Sequence, residues 1–266
     1  MTGVDADRRW SESMPAVYEQ YLVPAVFRPF ADDLAARVVA LRPRRVLELA
    51  AGTGVLTSGL LSAVPDAEVT ATDLNDTMVA FGAARAPGAV WRQADAQRLP
   101  FPDDVFDLVV CQFGVMFFPD RVAAYDEVRR VLAPGGRFLF NTWGPLATHV
   151  FAAALQAGLE RALPVDPPRF IRTIPHGYAD RAVVATDLAA AGFVVEEERE
   201  ITLEGRAPSA ADVALGFLAG TPVRAEVEKH GDVAAVQDTV TQQMTARLGP
   251  GPVSAPMTAY VFLCSA

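Results

Sequence analysis

The stretch Arg45-Val-Leu-Glu-Leu-Ala-Ala-Gly-Thr-Gly54 decides the fold of this chain. Its first half is an apolar run that ends near an acid. A strand that is covered on both faces requires such apolar residues. Its second half is a turn of small residues, in which Gly52 and Gly54 let the backbone approach a ligand where a side chain would collide. Apolar residues after the turn follow helical spacing. The stretch therefore predicts a buried strand, a nucleotide-binding loop and a helix.

A Gly-x-Gly loop alone fits several classes of nucleotide-binding protein. The dinucleotide fingerprint needs a third small residue, but that position, counted from Gly52, is Thr57 here. Glu48 already places an acid at the end of the strand, before the loop. These two features argue against a nicotinamide dinucleotide.

A second acid follows the next strand pattern, Glu68-Val-Thr-Ala-Thr-Asp73. A carboxylate at this position can accept hydrogen bonds from both hydroxyls of a ribose. The alternative is that Asp73 only caps the helix that opens around residues 75–76. The two roles are compatible.

Two further segments complete the pattern. Gln93 begins a polar loop, Asp95-Ala-Gln-Arg-Leu-Pro-Phe101, that leads into an apolar strand near Phe106. Later, Glu127-Val-Arg-Arg-Val-Leu-Ala-Pro-Gly-Gly-Arg137 closes a helix and opens another strand. With Asp73 and the first loop, these motifs make the chain resemble the class I S-adenosylmethionine-dependent methyltransferases.

The resemblance is closest to the small-molecule group that includes the ubiquinone and menaquinone C-methyltransferases, and the layout is also similar to that of antibiotic N-methyltransferases. It is strong over residues 15–145, and beyond them it rests on the order of elements. Many members carry glycine where this chain has Ala50, so the first turn of the loop is bulkier here.

The resemblance implies an α/β fold, a doubly wound, Rossmann-like sheet of seven mostly parallel strands with an antiparallel last strand and helical cap insertions. The strand patterns lie at residues 45–49, 68–73, 88–92, 106–111, 136–143, 193–203 and 256–264. Their alternation with helix-length segments predicts a parallel sheet. Ligands of such sheets bind at the carboxyl ends of the strands.

We expect one catalytic domain over residues 1–266 with three helical additions. Residues 15–41 are predicted to form an N-terminal lid, broken near Pro24 and Pro29. Residues 144–180 and 207–248 are predicted to be cap insertions. Helices are predicted at residues 120–132, stopped by Pro134-Gly-Gly136, and at 152–163 and 180–192.

The cofactor implied by the resemblance is S-adenosyl-L-methionine, with S-adenosyl-L-homocysteine as the product. The loop from Glu48 to Gly54 would hold the methionine part, Asp73 the ribose, and Leu74 with Met78 the adenine. Asp95 or the amide of Ala96 would reach the exocyclic amine. The cofactor-binding candidates are Tyr21, Glu48, Ala50, Gly52, Thr53, Gly54, Asp73, Leu74, Met78, Asp95, Ala96, Gln112, Phe113 and Gly114.

The acceptor pocket is expected beside the donor. Phe117 and Phe118 follow the fourth strand, and an aromatic face there would favour a cationic methyl donor; packing in the core is the alternative for both. The pocket candidates are Tyr18, Phe117, Phe118, Trp143, His176 and Tyr178. Tyr18 and Tyr21 would point from the lid, or else pack against the core.

No catalytic residue is certain from the sequence. Tyr18 and His149 are candidates, and a surface or structural role is the alternative for His149, as it is for His176. We find no paired carboxylates, catalytic triad or metal cluster, so the predicted reaction is in-line transfer that depends on orientation and desolvation, without a metal.

The charge of the chain disfavours a nucleic-acid partner. Its formal net charge is −9, and its pI is about 4.9. Phosphate binding usually needs a basic stripe, and the basic cluster at residues 42–45 is interpreted as a solvated approach to the first strand. The expected partner is a small-molecule acceptor, not nucleic acid or a membrane; an oligomer is possible, but the sequence does not specify one.

Signals for membrane insertion or secretion are also missing from the sequence. No apolar run approaches the roughly 20 residues needed to cross a bilayer, and residues 1–13 lack the pattern of a secretory signal. We therefore expect a cytoplasmic location. Cys111 and Cys264 lie in apolar strand patterns and are interpreted as buried core residues rather than reactive thiols.

Two other function classes stay open. One is an NAD(P)-dependent oxidoreductase on the same kind of sheet, which would lack its third glycine. The other is a catalytically silent protein that binds S-adenosylmethionine. Within the methyltransferases, a protein or RNA substrate is disfavoured by the acidic charge and by the bulky cap. The acceptor, a quinone precursor or a natural-product scaffold of secondary metabolism, and the methylated atom (N, O or C) are not determined.

Overall fold

A seven-stranded sheet organises the described part of the molecule. The computed structural model describes residues 14–230 and 232–266, so the interpretation of residues 1–13 lies outside it. The strands are β1 (Arg45–Leu49), β2 (Glu68–Asp73), β3 (Val90–Gln93), β4 (Phe106–Gln112), β5 (Leu132–Trp143), β6 (Val194–Ala207) and β7 (Val253–Ser265).

The strand order is β3-β2-β1-β4-β5-β7-β6. The neighbours from β3 to β5 run parallel, whereas β7 pairs antiparallel with both β5 and β6. The predicted doubly wound sheet with an antiparallel last strand is confirmed. The order reverses between β1 and β4, which is where ligands of such sheets bind.

Both faces of the sheet are buried, because residues that alternate along a strand enter two different cores. On β1, Val46 packs in one cluster and Leu47 in the other. On β4, Val110 packs in the same cluster as Val46, and Cys111 packs in the same cluster as Leu47. This alternation explains why the strands read as continuous apolar runs in the sequence.

The helices cover these faces and the end of the sheet. They are α1 (Met14–Val17), a π-helical segment (Tyr18–Phe27), α2 (Arg28–Leu41), α3 (Val55–Ala63), α4 (Asp76–Arg85), α5 (Arg121–Val131), α6 (Val150–Ala162), α7 (Phe170–Thr173), α8 (Arg181–Ala190), α9 (Ala210–Gly220), α10 (Val223–Glu228) and α11 (Val233–Leu248). Most predicted boundaries agree with these within a few residues.

The N-terminal lid is not broken at its prolines, contrary to the prediction. Residues 14–41 are helical throughout. Pro24 lies in the π-helical segment, where the Arg28 N–H reaches back five residues to the Val23 carbonyl. Pro29 lies in the first turn of α2, where its missing N–H costs no helical hydrogen bond.

Strand β5 begins four residues earlier than predicted. Leu132 pairs with Phe106, and the register then shifts so that Arg137 pairs with Leu108. Residues 134–136 are accommodated in this irregularity, where Gly135 takes a φ of +80°. The Pro-Gly-Gly sequence therefore makes a bulge inside a strand rather than a boundary before it.

Neither cysteine is exposed or paired: Cys111 and Cys264 are free thiols buried in the core, as predicted. Burial raises the pKa of the Cys264 thiol to about 12. Among the described residues, no helix combines the length and apolarity that a membrane span needs.

Gly82 gives a test of the packing that supports the first loop. A Cβ on Gly82 would lie 2.1 Å from the Trp91 indole, and the same indole lies 3.0 Å from a Cβ built on Gly54. Gly82→Ala should destabilise the protein by about 1–3 kcal/mol through overpacking, although alanine favours helix. Urea denaturation followed by fluorescence measures this. Gly251→Ala is the matched control, because nothing lies within 4 Å of its Cβ position. An unchanged Gly82→Ala midpoint would contradict the packing.

Candidate functional site

The turn after β1 has a strained backbone. Ala50, Gly52 and Gly54 have φ values of +51°, +56° and +82°. For a non-glycine residue the left-handed region costs roughly 1–2 kcal/mol. Ala50 is therefore strained, because its backbone adopts a conformation that glycine takes without this cost.

Asp73, at the end of β2, links this turn to the next loop. One carboxylate oxygen accepts the Gly52 N–H at 2.8 Å, and the other accepts the Asn75 N–H at 2.9 Å. Burial raises the Asp73 pKa, and these backbone donors oppose that rise. The Asn75 side chain caps α4 by accepting from Thr77 and Met78. Asp73 thus orders the two loops. The helix cap that was predicted as its alternative role is made by the Asn75 side chain instead.

Glu48 lies beneath the turn rather than facing the cavity. Its side chain is buried, and one carboxylate oxygen accepts the Thr57 hydroxyl hydrogen bond at 2.6 Å. Burial raises the Glu48 pKa from 4.5 to about 8, against the lowering effect of Thr57. The residue at the third fingerprint position therefore serves to hold this carboxyl group.

The loop after β4 comes close to the first loop at Gly114. A Cβ there would lie 2.5 Å from Cys111 Sγ and 2.6 Å from Ala50 Cβ. The preceding Phe113 has a φ of +52° and donates its N–H to Asn141 Oδ1 at 2.8 Å. Close packing of the two loops thus requires glycine at position 114.

A cavity of about 820 Å³ opens at this end of the sheet. Its volume lies at the upper end of the range for ligand sites, about 300–1,000 Å³. Predicted cofactor residues that line it are Ala50, Gly52, Asp73, Leu74, Met78, Asp95, Ala96, Gln112, Phe113 and Gly114. Predicted acceptor or catalytic residues that line it are Tyr18, Phe117, Phe118, Trp143, His149 and His176.

The two ends of the cavity differ in character. The end formed by the loops after β1, β2 and β3 carries three carboxylates, Asp73, Asp76 and Asp95. The other end is formed mainly by aromatic and aliphatic side chains, among them Trp143 and Phe170, with two histidines. No lysine or arginine lines the cavity within the described residues.

Tyr178 does not line the cavity, which corrects its prediction as a pocket residue. Its hydroxyl donates to Asp187 Oδ2 at 2.8 Å, and its ring lies under the Arg121 guanidinium at 4.2 Å. Its side chain is buried. The sequence places the two residues side by side, but only the structure shows that they point to different neighbours.

Tyr21 is also corrected. It lies against α9, where its Cβ is 2.9 Å from a Cβ built on Gly216. Glu48, Thr53 and Gly54 support the first turn without lining the cavity. The family resemblance placed both tyrosines on the cavity side of the lid; Tyr18 lines the cavity and Tyr21 is not among the lining residues.

Some lining residues were missed in the sequence. The Phe27 carbonyl accepts a hydrogen bond from the Gln112 side-chain amide at 2.8 Å, and this bond connects the lid to the end of β4. Phe170 and Phe217 come from the two segments predicted as caps. Their aromatic character was the available signal, but nothing local distinguishes them from other core residues.

Burial controls the electrostatics of Tyr18 and of the histidines. The Tyr18 pKa is raised by burial and by the nearby Asp73 carboxylate. Burial lowers the His176 pKa to about 4 and takes the His149 pKa well below its ordinary value. His230, the third histidine, is exposed. No group of three or more potential metal ligands occurs in the described parts of the chain.

In sequence, this chain is similar to known methyltransferases. A family model described as "Methyltransferase domain" matches residues 47–140. The chain is 38% identical to a malonyl-[acyl-carrier protein] O-methyltransferase of Halorhodospira halophila, over 71% of this chain and 62% of that protein. It is 35% identical to a demethylmenaquinone methyltransferase of Thermus thermophilus, over 65% of this chain and 83% of that protein. The chain therefore spans about three fifths of the first of these relatives.

Solved structures share the fold at low sequence identity. A putative type II methyltransferase from Anaeromyxobacter dehalogenans has a TM-score of 0.62 at 21% identity, over 89% of this chain and 94% of that one. A phosphoethanolamine N-methyltransferase from Haemonchus contortus, solved with S-adenosylhomocysteine, has a TM-score of 0.60 at 15% identity, over 97% of this chain and 58% of that one.

Glu48 should make stability depend on pH. Its folded pKa of about 8 exceeds its ordinary value of 4.5, so between these pH values the folded protein holds a proton that the unfolded chain releases. Its contribution to stability is complete below the lower value and is lost as pH rises toward the upper one. Glu48→Gln lacks this titration. Its free energy of unfolding relative to wild type should rise by at least about 1.4 kcal/mol between pH 5 and pH 8.

Urea denaturation at several pH values measures this difference. Taking the difference between the two proteins cancels the effect of Asp73, which both retain. Glu68→Gln, on an exposed carboxylate at the start of β2, is the control and should show no trend. A flat difference for Glu48→Gln would contradict a buried, protonated carboxyl group.

Proposed function

The chain belongs to the family of S-adenosylmethionine-dependent methyltransferases, and on that premise we propose that it transfers the methyl group of S-adenosylmethionine to an uncharged, largely apolar small molecule. The observation that carries the proposal is the division of one cavity into an acidic end and an aromatic end, the latter lined by no Asp, Glu, Lys or Arg side chain of the described residues. Its volume of about 820 Å³ supports side-by-side binding of donor and acceptor.

The acidic end fits the donor. The Asp73 carboxylate is already oriented by two backbone donors and keeps lone pairs for ribose hydroxyls. A Cβ on Gly52 would have nothing within 4 Å, so the turn leaves space beside its backbone. In this proposal Leu74 and Met78, which line the cavity, cover the adenine, and Asp95 or the Ala96 amide binds its amine. The three carboxylates suit a cationic ligand.

The chemistry divides between cofactor and protein. S-adenosylmethionine supplies a methyl group that its sulfonium already activates. The chain's own residues bind, orient and exclude water: Gln112, Phe113 and Gly114 form the wall between the two ends, and Phe117 with Trp143 covers the acceptor side. Positioning of this kind accounts for roughly 7–11 kcal/mol of barrier at best.

The charge of the lining selects among acceptors. A malonyl group, named for the H. halophila relative, carries a carboxylate, and no lysine or arginine of the described residues lines this cavity. An unpaired buried carboxylate is costly. Demethylmenaquinone, named for the T. thermophilus relative, is uncharged and aromatic. The lining therefore favours an acceptor of the second kind.

We further propose that the helical additions close the acceptor end. The lid at residues 15–41 contributes Tyr18 and Phe27 to the lining, and the segments at 144–180 and 207–248 contribute Phe170 and Phe217. In this interpretation they are parts of one catalytic domain. A cytoplasmic location stays a prediction of the sequence.

The cofactor is tested by calorimetric titration with S-adenosylhomocysteine, with NADH as the comparison for an oxidoreductase. Wild type should bind the former in the micromolar range and not the latter. Asp73→Ala should weaken binding at least about tenfold, because charge-assisted hydrogen bonds contribute about 1.5–3 kcal/mol. Asp66→Asn, on an exposed turn away from the cavity, is the control and should bind as wild type does. Binding of NADH alone would refute the proposal.

Turnover separates an enzyme from a silent binding protein. Purified protein with S-adenosylmethionine is offered two sets of acceptors, uncharged aromatic compounds and aliphatic carboxylates, and S-adenosylhomocysteine release is measured. We expect release with the first set only. Turnover of carboxylates would contradict the acceptor class, and tight cofactor binding without any turnover would favour the silent protein.

A further inference from the structure

Two histidines lie side by side at the aromatic end of the cavity. The rings of His149 and His176 are 5.4 Å apart and nearly perpendicular, and both side chains line the cavity while only 2% and 8% exposed. They come from different segments, since His149 caps the start of α6 and His176 lies in the loop after α7. The fold therefore brings together two imidazoles that are 27 residues apart in the sequence.

Backbone contacts fix which ring nitrogen carries the proton in each neutral imidazole. His176 Nδ1 lies 2.8 Å from the Gly144 carbonyl, which can only accept, so Nδ1 carries the hydrogen and Nε2 has a free lone pair. His149 Nδ1 accepts the Ala152 N–H at 3.3 Å, so its hydrogen is on Nε2. The cavity wall thus offers one acceptor nitrogen and one donor nitrogen.

The surroundings keep both rings neutral. The aromatic neighbours are Trp143, 4.7 Å from the His149 ring, and Phe217, 6.5 Å from it. Each histidine is the titratable group that faces the other, and within the described residues neither makes an ion pair with a carboxylate. Burial lowers both pKa values, and His176 further lowers that of His149.

The pair is also close to the donor end. Trp143 stacks on Phe113 with ring centroids 3.6 Å apart and planes at 7°, and the His176 ring is 6.1 Å from the same indole. Phe113 follows β4 directly, in the loop proposed above as the wall between the donor and acceptor ends. Trp143 therefore contacts both the histidine pair and Phe113, the residue that follows β4.

We propose that the acceptor is an aromatic hydroxyl compound whose hydroxyl group binds between the two histidines and is methylated on oxygen. This inference rests on the proposed function. The hydroxyl donates to His176 Nε2 and accepts from His149 Nε2–H, and its remaining lone pair is directed at the methyl group. Among residues 14–230 and 232–266, this end offers no carboxylate to an ammonium group and no lysine or arginine to a carboxylate.

The proton has a defined destination in this arrangement. As the oxygen bonds to the methyl carbon, the O–H bond breaks and His176 Nε2 takes the proton, while the electron pair of the broken carbon–sulfur bond stays on sulfur. A weak base is sufficient, because an oxygen that already bonds to the methyl carbon is strongly acidic. His176 then returns the proton to solvent. His149 fixes the position of the oxygen and transfers no proton.

Two asparagine variants separate the ring nitrogens. His176→Asn keeps a side-chain donor near the Nδ1 position for the Gly144 carbonyl and lacks Nε2. His149→Asn keeps an acceptor that can cap α6 and lacks the Nε2 donor. Both should retain wild-type affinity for S-adenosylhomocysteine and a similar Tm, which shows that the fold and the donor end are intact.

The binding probes are 2-naphthol and naphthalene, which differ by one hydroxyl, titrated into the complex with S-adenosylhomocysteine. Wild type should bind 2-naphthol about tenfold more tightly, as one buried hydrogen-bonded group allows. Either variant should reduce that preference at least threefold. With S-adenosylmethionine, the product should be 2-methoxynaphthalene, and His176→Asn should lower kcat about 100-fold or more, with a smaller change in KM. The wild-type kcat/KM should be flat near neutral pH and fall in acid as His176 is protonated.

Different outcomes test the proposed function and the role of the two histidines. If wild type fails to bind S-adenosylhomocysteine, the proposed function fails. If it binds that ligand but does not distinguish 2-naphthol from naphthalene, or if His176→Asn leaves the preference unchanged, the role of the histidines is overturned while the function stands. Methylation on a ring carbon would overturn the oxygen assignment. The binding measurement decides even without turnover.

Discussion

The carboxylate of Asp73 is the constraint on which the rest of the site depends. It accepts N–H groups from the turns after β1 and β2 at once, and so it joins two loops that are connected only through helix α3 and strand β2. Its bond to the Gly52 N–H lies within the turn in which Ala50, Gly52 and Gly54 have positive φ values. The same carboxylate is the one proposed to bind the ribose, so one group would both order the loops and bind the ligand.

Beyond Asp73, the lining of the cavity changes from polar to aromatic. Hydrogen-bonding backbone and carboxylates surround the donor end, whereas packed rings surround the acceptor end. Phe113 lies at the boundary, with its N–H held by Asn141 and its ring stacked on Trp143. A left-handed phenylalanine is unfavourable by itself. It is held here because a hydrogen bond and a stacking contact both fix the same conformation.

The sequence predicted those parts of the molecule in which local pattern and fold agree. Residues 45–49 and 68–73 are strands with the predicted bounds, because each is a short segment rich in β-branched or apolar residues and is followed by turn residues. The prediction was wrong at Leu132, where a proline and two glycines look like a boundary but form a bulge inside a strand. It was wrong at Pro24 because a π-helical turn has a different hydrogen-bond pattern.

In the site, most residues predicted for the donor line one cavity, because they follow strands in a fixed order. The acceptor end was not accessible from the sequence in this way, because its residues converge from segments far apart in the chain. Nothing near Tyr178 indicates that it bonds to Asp187, and nothing near His149 indicates that His176 faces it. Such juxtapositions depend on long-range packing, which periodicity does not encode.

The contact at Gly114 has a consequence for how such a sequence can change. A side-chain atom at that position would meet both Cys111 and Ala50 at less than 3 Å, so the three residues share one small volume. Enlargement of any one must be accompanied by reduction of another. We therefore expect the three positions to covary as a unit among homologous chains, with a fixed total size rather than three fixed identities.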